Sequence, residues 1–62
     1  MEVRFKLEKE TNGALRYQEV DDKGQAVDQA GIKIGTLYMR KSAFERGKAW
    51  PQELRVTVDA IN

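Results

Sequence analysis

The stretch Glu2-Val-Arg-Phe-Lys-Leu-Glu-Lys-Glu-Thr-Asn-Gly-Ala-Leu-Arg-Tyr-Gln-Glu-Val20 decides the fold class. From Glu2 to Glu8 it alternates strictly: Val3, Phe5 and Leu7 share one parity, and Glu2, Arg4, Lys6 and Glu8 the other. A period of two places alternate side chains on opposite faces of a strand, so this pattern predicts a strand buried on one side. From Ala14 to Val20 the alternation returns, with Leu15 and Tyr17 opposed to Arg16 and Gln18. Between them lies Asn12-Gly13, a dipeptide that accepts the positive φ angles of a tight hairpin turn. The first third of the chain therefore reads as an antiparallel β-hairpin.

Working outward, Asp21 to Gly31 is polar and acidic with two glycines, and reads as a long loop. Ile32 to Arg40 reads as a third strand whose alternation breaks at Gly35. A bulge at Gly35-Thr36 would bring Ile32, Ile34, Leu37 and Met39 onto one face. Ser42 followed by Glu45 matches a capping box, and Gly47 fits a helix C-terminus. These predict one helical turn over Ala43–Arg46. Pro51 favours an extended Trp50, making Lys48 to Gln52 a connector. Glu53 to Ala60 alternates cleanly and reads as the last strand. The expectation is a mainly β, small α+β single domain over residues 1–62: four antiparallel strands and one helical turn, in the order β-β-β-α-β.

The totals constrain function. A chain of 62 residues buries only about 60% of its unfolded surface, which leaves a lone core marginal. There is no Cys and no His, so disulfides and thiolate or imidazole metal sites are excluded. Self-association is the remaining support, and a homodimer or larger assembly is expected, with Leu37, Met39, Phe44 and Trp50 as interface candidates. No apolar run is long enough to span a membrane, and no signal core opens the chain. A cytoplasmic location is therefore expected.

Catalysis finds little support. Ser42, the only serine, has no evident base and is explained as a cap. Asp21-Asp22 fall in a polar loop, where solvated turn residues are the expected role. Asp21, Asp22 and Asp28 lack calcium-loop spacing. Gly31-Ile-Lys-Ile-Gly35 leads into a strand rather than a helix, so it does not cradle phosphate. No enzyme, cofactor or small-molecule substrate is expected.

Charge is nearly balanced in total, eleven Lys+Arg against ten Asp+Glu, but polarised along the chain. Glu19 to Asp28 holds four acids and one base (net −3); Lys33 to Lys48 holds five bases and one acid (net +4). Within the second segment Arg40, Lys41, Arg46 and Lys48 are candidates for phosphate contacts, with Tyr38 or Trp50 able to stack on a base. The function this suggests is a non-enzymatic, nucleic-acid-associated accessory module; the competing reading is a protein-interaction or structural homodimer module. The polar face of the sheet, with Arg4, Lys6, Arg16, Gln18, Arg55 and Thr57, offers no aromatic in this reading and is assigned to solvent.

The chain also resembles a group of very short bacterial, phage and plasmid proteins. Lys9-Glu10-Thr11-Asn12, Arg16-Tyr17, Ile34 to Tyr38, Lys41 with Ala43, and Leu54 to Val58 carry the match. It departs from their pattern at Met39 and Phe44, where smaller aliphatics are usual, and by a longer central loop. That resemblance implies a shared domain and no activity. Gly35, Leu37, Lys41 and Leu54 to Val58 are also similar in rhythm to swapped-hairpin factors of the AbrB type. This second likeness implies an intertwined dimer that binds DNA through basic residues.

Overall fold

A computed structural model describes residues 1–62. It contains one four-stranded antiparallel sheet: β1 Glu2–Glu10, β2 Ala14–Val20, β3 Thr36–Arg40 and β4 Glu53–Thr57. The spatial order is β3-β2-β1-β4, so the last two strands form the two edges. No helix is long and apolar enough to cross a membrane.

The hairpin β1–β2 forms as its alternation requires, with Leu7 opposite Tyr17 and Phe5 opposite Glu19. Its turn differs from expectation. Neither Asn12 nor Gly13 takes positive φ. Instead Thr11 closes the turn: its amide donates to the Ala14 carbonyl at 2.9 Å, and its hydroxyl accepts from the Ala14 amide at 3.2 Å. A side-chain oxygen replaces one backbone acceptor, which removes the need for a left-handed residue.

β1 also runs two residues further than the alternation indicates, because a bulge interrupts its register between Leu7 and Lys9. The extra residue resets the parity, so Glu8 and Lys9 face one side and Glu10 turns to the other, beside Leu15. The irregularity expected at Gly35-Thr36 is therefore found in β1. Gly35, at φ +95°, marks where β3 begins rather than a bulge within it. A side chain there would be strained, and the ladder with β2 stops at Gln18–Thr36. Ile32 and Ile34 consequently lie in the preceding loop and are exposed.

The connection between β3 and β4 shapes the molecule. Because these strands are opposite edges, residues 41 to 52 must cross the sheet, and they do so over its apolar face. Val3, Phe5, Leu15 and Tyr17 form the core, and Phe44 and Trp50 pack against it with Leu7, Leu37, Met39, Leu54 and Val56. The two strap aromatics meet edge to face, with ring centroids 6.1 Å apart. Polar bonds fasten the strap: the Tyr17 hydroxyl donates to the Pro51 carbonyl at 2.7 Å, and the Leu7 amide donates to the Gln52 carbonyl at 2.8 Å. Replacing Tyr17 by Phe should lower stability by about 1 kcal/mol, the net worth of one such hydrogen bond, as read from urea denaturation.

The helical turn predicted over Ala43–Arg46 is instead a 3-10 turn at Lys41–Ala43. It closes with the Phe44 amide on the Lys41 carbonyl at 3.1 Å. Ser42 thus lies inside the turn and cannot cap it, and Glu45 pairs with Lys48 at 3.3 Å instead of reaching back. Gly47 does take a left-handed conformation, at φ +80°. β4 ends at Thr57 because β1 offers no partner beyond its start, where the Val58 amide meets the Met1 carbonyl.

The acidic loop is more ordered than its composition suggests. The Asp21 carboxylate accepts from the amides of Lys23 and Gln25, and Asp28 caps a 3-10 turn at Gln29–Gly31. The loop then meets Glu19, the one buried charged residue, only 3% exposed on the apolar side of β2. One Glu19 oxygen accepts from the amides of Lys33 (3.1 Å), Ile34 (2.8 Å) and Gly35 (2.9 Å), and its own amide donates to the Gly35 carbonyl. A buried carboxylate stands only when bonded in this way.

Candidate functional site

The structure divides the cationic stretch that the sequence presents as one cluster. Successive residues of a strand point to opposite faces, and the strap then leaves β3 on the apolar side. Tyr38 and Arg40 share the polar face, whereas Lys41 and Trp50 belong to the apolar one. Lys41 donates to Glu10 at 2.6 Å, and its ammonium stands 5.6 Å from the Trp50 ring centroid. The Lys41 hydrogen bond and its charge hold the Glu10 carboxyl below the usual carboxylate range. Lys41, Ser42, Phe44, Arg46 and Trp50 line a shallow depression on the strap. Trp50 is half-buried and serves as a lid on the core with Lys41 laid across it. Lys48 pairs with Glu45 at 3.3 Å with both side chains largely exposed, and Arg46 has no carboxylate partner, so of the strap cations Lys41 alone is held in place.

The polar face is built differently. Cross-strand partners share a face, so the registers place Tyr38, Arg16 and Lys9 in one row across β3, β2 and β1. The next row is Thr36, Gln18, Lys6 and Glu53. Arg40 lies two residues beyond Tyr38 on the same side. Across the face stand the bases Arg4, Lys6, Lys9, Arg16, Arg40 and Arg55 and the acids Glu2, Glu8 and Glu53. Each acid is already engaged: Glu53 with Arg4 at 3.2 Å, Glu8 with Arg16 at 3.1 Å, and Glu2 more loosely with Arg55 at 3.9 Å. Lys6, Lys9 and Arg40 have no carboxylate partner. The Tyr38 hydroxyl, and then Glu8, hold the pKa of Arg16 above its ordinary value.

Tyr38 is 61% exposed, the most exposed aromatic ring of the molecule. Its presence corrects the sequence reading of this face as lacking an aromatic. Alternation alone does not give strand order, so the Tyr38–Arg16 neighbourhood emerges only from the pairing of β3 with β2. The residue types that alternate along one edge strand gave the only available signal: Thr36, Tyr38 and Arg40 outward, Leu37 and Met39 inward. Lys9 was missed for another reason: without the β1 bulge its parity assigns it to the core side.

Of the interface candidates, Leu37 and Met39 lie half-buried on the apolar side of the β3 edge, while Phe44 and Trp50 are occupied covering the core. No family model, curated protein or solved structure matches the chain, and the reading of the site stands on its geometry.

Proposed function

We propose that this chain is a non-enzymatic nucleic-acid-binding module that lays a single strand across the polar face of its sheet. One observation carries the reading: the exposed ring of Tyr38 on the β3 edge shares one face with Arg40 on its own strand and with Lys6 and Lys9 two strands away, none of the three paired to a carboxylate. Cations without partners neutralise phosphates, and a tyrosine backed by a strand offers a platform for a base. An open sheet face suits an unpaired strand, whose bases are free to stack, better than a duplex whose bases are hidden. A self-associating module without a nucleic-acid role is the second reading, favoured by the open β3 edge.

Fluorescence anisotropy with labelled single-stranded and double-stranded DNA and RNA tests the proposal. Binding should favour single strands and weaken steeply with salt. On a single strand, each phosphate contact removed should reduce the slope of log K against log salt by about 0.7. Absence of binding to every one of these at low salt contradicts it.

A further inference from the structure

The two edges of the sheet are unlike. In an antiparallel ladder alternate residues turn their backbone groups toward the neighbour. The Glu19 amide bonds to the Gly35 carbonyl, and the Lys41 amide to the Gly13 carbonyl. The odd-numbered residues of β3 therefore face β2, and Thr36, Tyr38 and Arg40 present their N–H and C=O groups to the open edge. By the same parity, the Leu7–Gln52 and Val58–Met1 bonds leave Glu53, Arg55 and Thr57 outward on β4. The β4 edge carries charges of both signs, held in ion pairs with Arg4 and Glu2. Such charges keep an exposed edge from pairing. The β3 edge carries one charge, Arg40 at its end, and no proline or bulge, and its outward residues alternate with half-buried Leu37 and Met39.

We propose that this edge pairs with the same edge of a second copy of the chain, antiparallel about a two-fold axis at Tyr38. That register sets Tyr38 opposite Tyr38 of the second copy and Thr36 opposite Arg40. It is the one register in which all three outward residues find partners, giving about six backbone hydrogen bonds between chains. On the apolar side it sets Leu37 opposite Met39, so the half-buried side chains of each copy cover those of the other. Shifting to pair Tyr38 with Arg40 would set Leu37 against Lys41 and draw Lys41 away from Glu10. An isologous contact of this kind closes on itself and leaves no further open β3 edge. The product is one eight-stranded sheet with the β4 edges outermost. A chain with only six buried residues gains the apolar cover it lacks. The inference rests on the edge and not on the nucleic-acid reading, although it would join the two polar faces into one surface.

Cysteine cross-linking without nucleic acid tests it, in a chain that has no thiol of its own. Tyr38→Cys places the only thiols on the two-fold axis, with Cα atoms about 5.5 Å apart, inside the range a disulfide spans. Oxidation should give a covalent dimer, while Arg55→Cys on the other edge should stay monomeric. An equal mixture of Thr36→Cys and Arg40→Cys chains should form mixed dimers in preference to either homodimer. Sedimentation of the unmodified chain should give twice the 7.1 kDa monomer mass. A monomer at millimolar concentration, cross-linking through Arg55→Cys instead, or homodimers dominating the mixture would overturn the proposal.

Discussion

Glu19→Ala should cost this protein about 3 kcal/mol and release the segment that leads into β3. The carboxylate gathers three consecutive amides, Lys33, Ile34 and Gly35, onto one buried oxygen. Hydrogen bonds to a charged group contribute about 1.5–3 kcal/mol each, and part of that returns when loop amides reach water. A domain of this length has roughly 3–9 kcal/mol of total stability, so the variant should lose about a third or more of it. Glu19→Gln keeps one accepting oxygen and should fall between. Urea denaturation followed by circular dichroism measures both.

The same site gives acid sensitivity with a definite sign. Burial pushes the Glu19 pKa up, but the amides of Ile34, Gly35 and Lys33, together with the Lys33 charge, outweigh it and hold it below the ordinary 4.5. A carboxylate whose folded pKa is depressed binds protons more readily in the unfolded chain. Its contribution is therefore complete above about pH 4.5 and is lost as pH falls through the lower folded value. Glu10 and Asp21, also depressed, act in the same direction. In Glu19→Gln the decline in stability below pH 4.5 should be shallower than in the parent chain.

The second large effect concerns binding. Lys9→Glu with Arg40→Glu should weaken single-stranded nucleic-acid binding by about 100-fold, or ~2.7 kcal/mol, at low salt. Two attractive contacts become two repulsive ones, one along β3 from Tyr38 and one across the sheet from it, and phosphate neutralisation dominates such affinities. Lys41→Glu with Lys48→Glu, in the stretch that looks more basic in sequence, should change affinity far less, because the strap lies on the apolar side of the sheet, away from Tyr38, and Lys41 already holds Glu10. Equal losses from both pairs would contradict a site confined to the polar face, and a larger loss from the strap pair would move it to the strap.

Much of the fold was legible in the sequence, and the reasons are local. β2 matches its alternating pattern from Ala14 to Val20, and the core residues Val3, Phe5, Leu15 and Tyr17 are those the parity marks. Features set by long-range geometry were not legible. The β1 bulge leaves no local mark, yet it moves Lys9 to the polar face and Glu10 to the apolar one. The Ser42–Glu45 spacing fits a capping box, but the chain at Lys41 must bend immediately to cross the sheet, and a 3-10 turn does this in fewer residues. Glu19 reads as a strand residue and one more acid of the segment running to Asp28, because its amide partners lie more than a dozen residues away. The candidate site was legible only by composition: four bases and two aromatics lie close in sequence, and strand alternation then sends Arg40 and Tyr38 one way and Lys41 the other.

The most direct test of the polar face as the binding surface is amide chemical-shift mapping of the labelled protein titrated with a short single-stranded oligonucleotide. Shifts concentrated at Lys6, Lys9, Arg16, Tyr38 and Arg40, and weakened by added salt, are the predicted result. Shifts confined to Lys41–Trp50, or none at low salt, would contradict it.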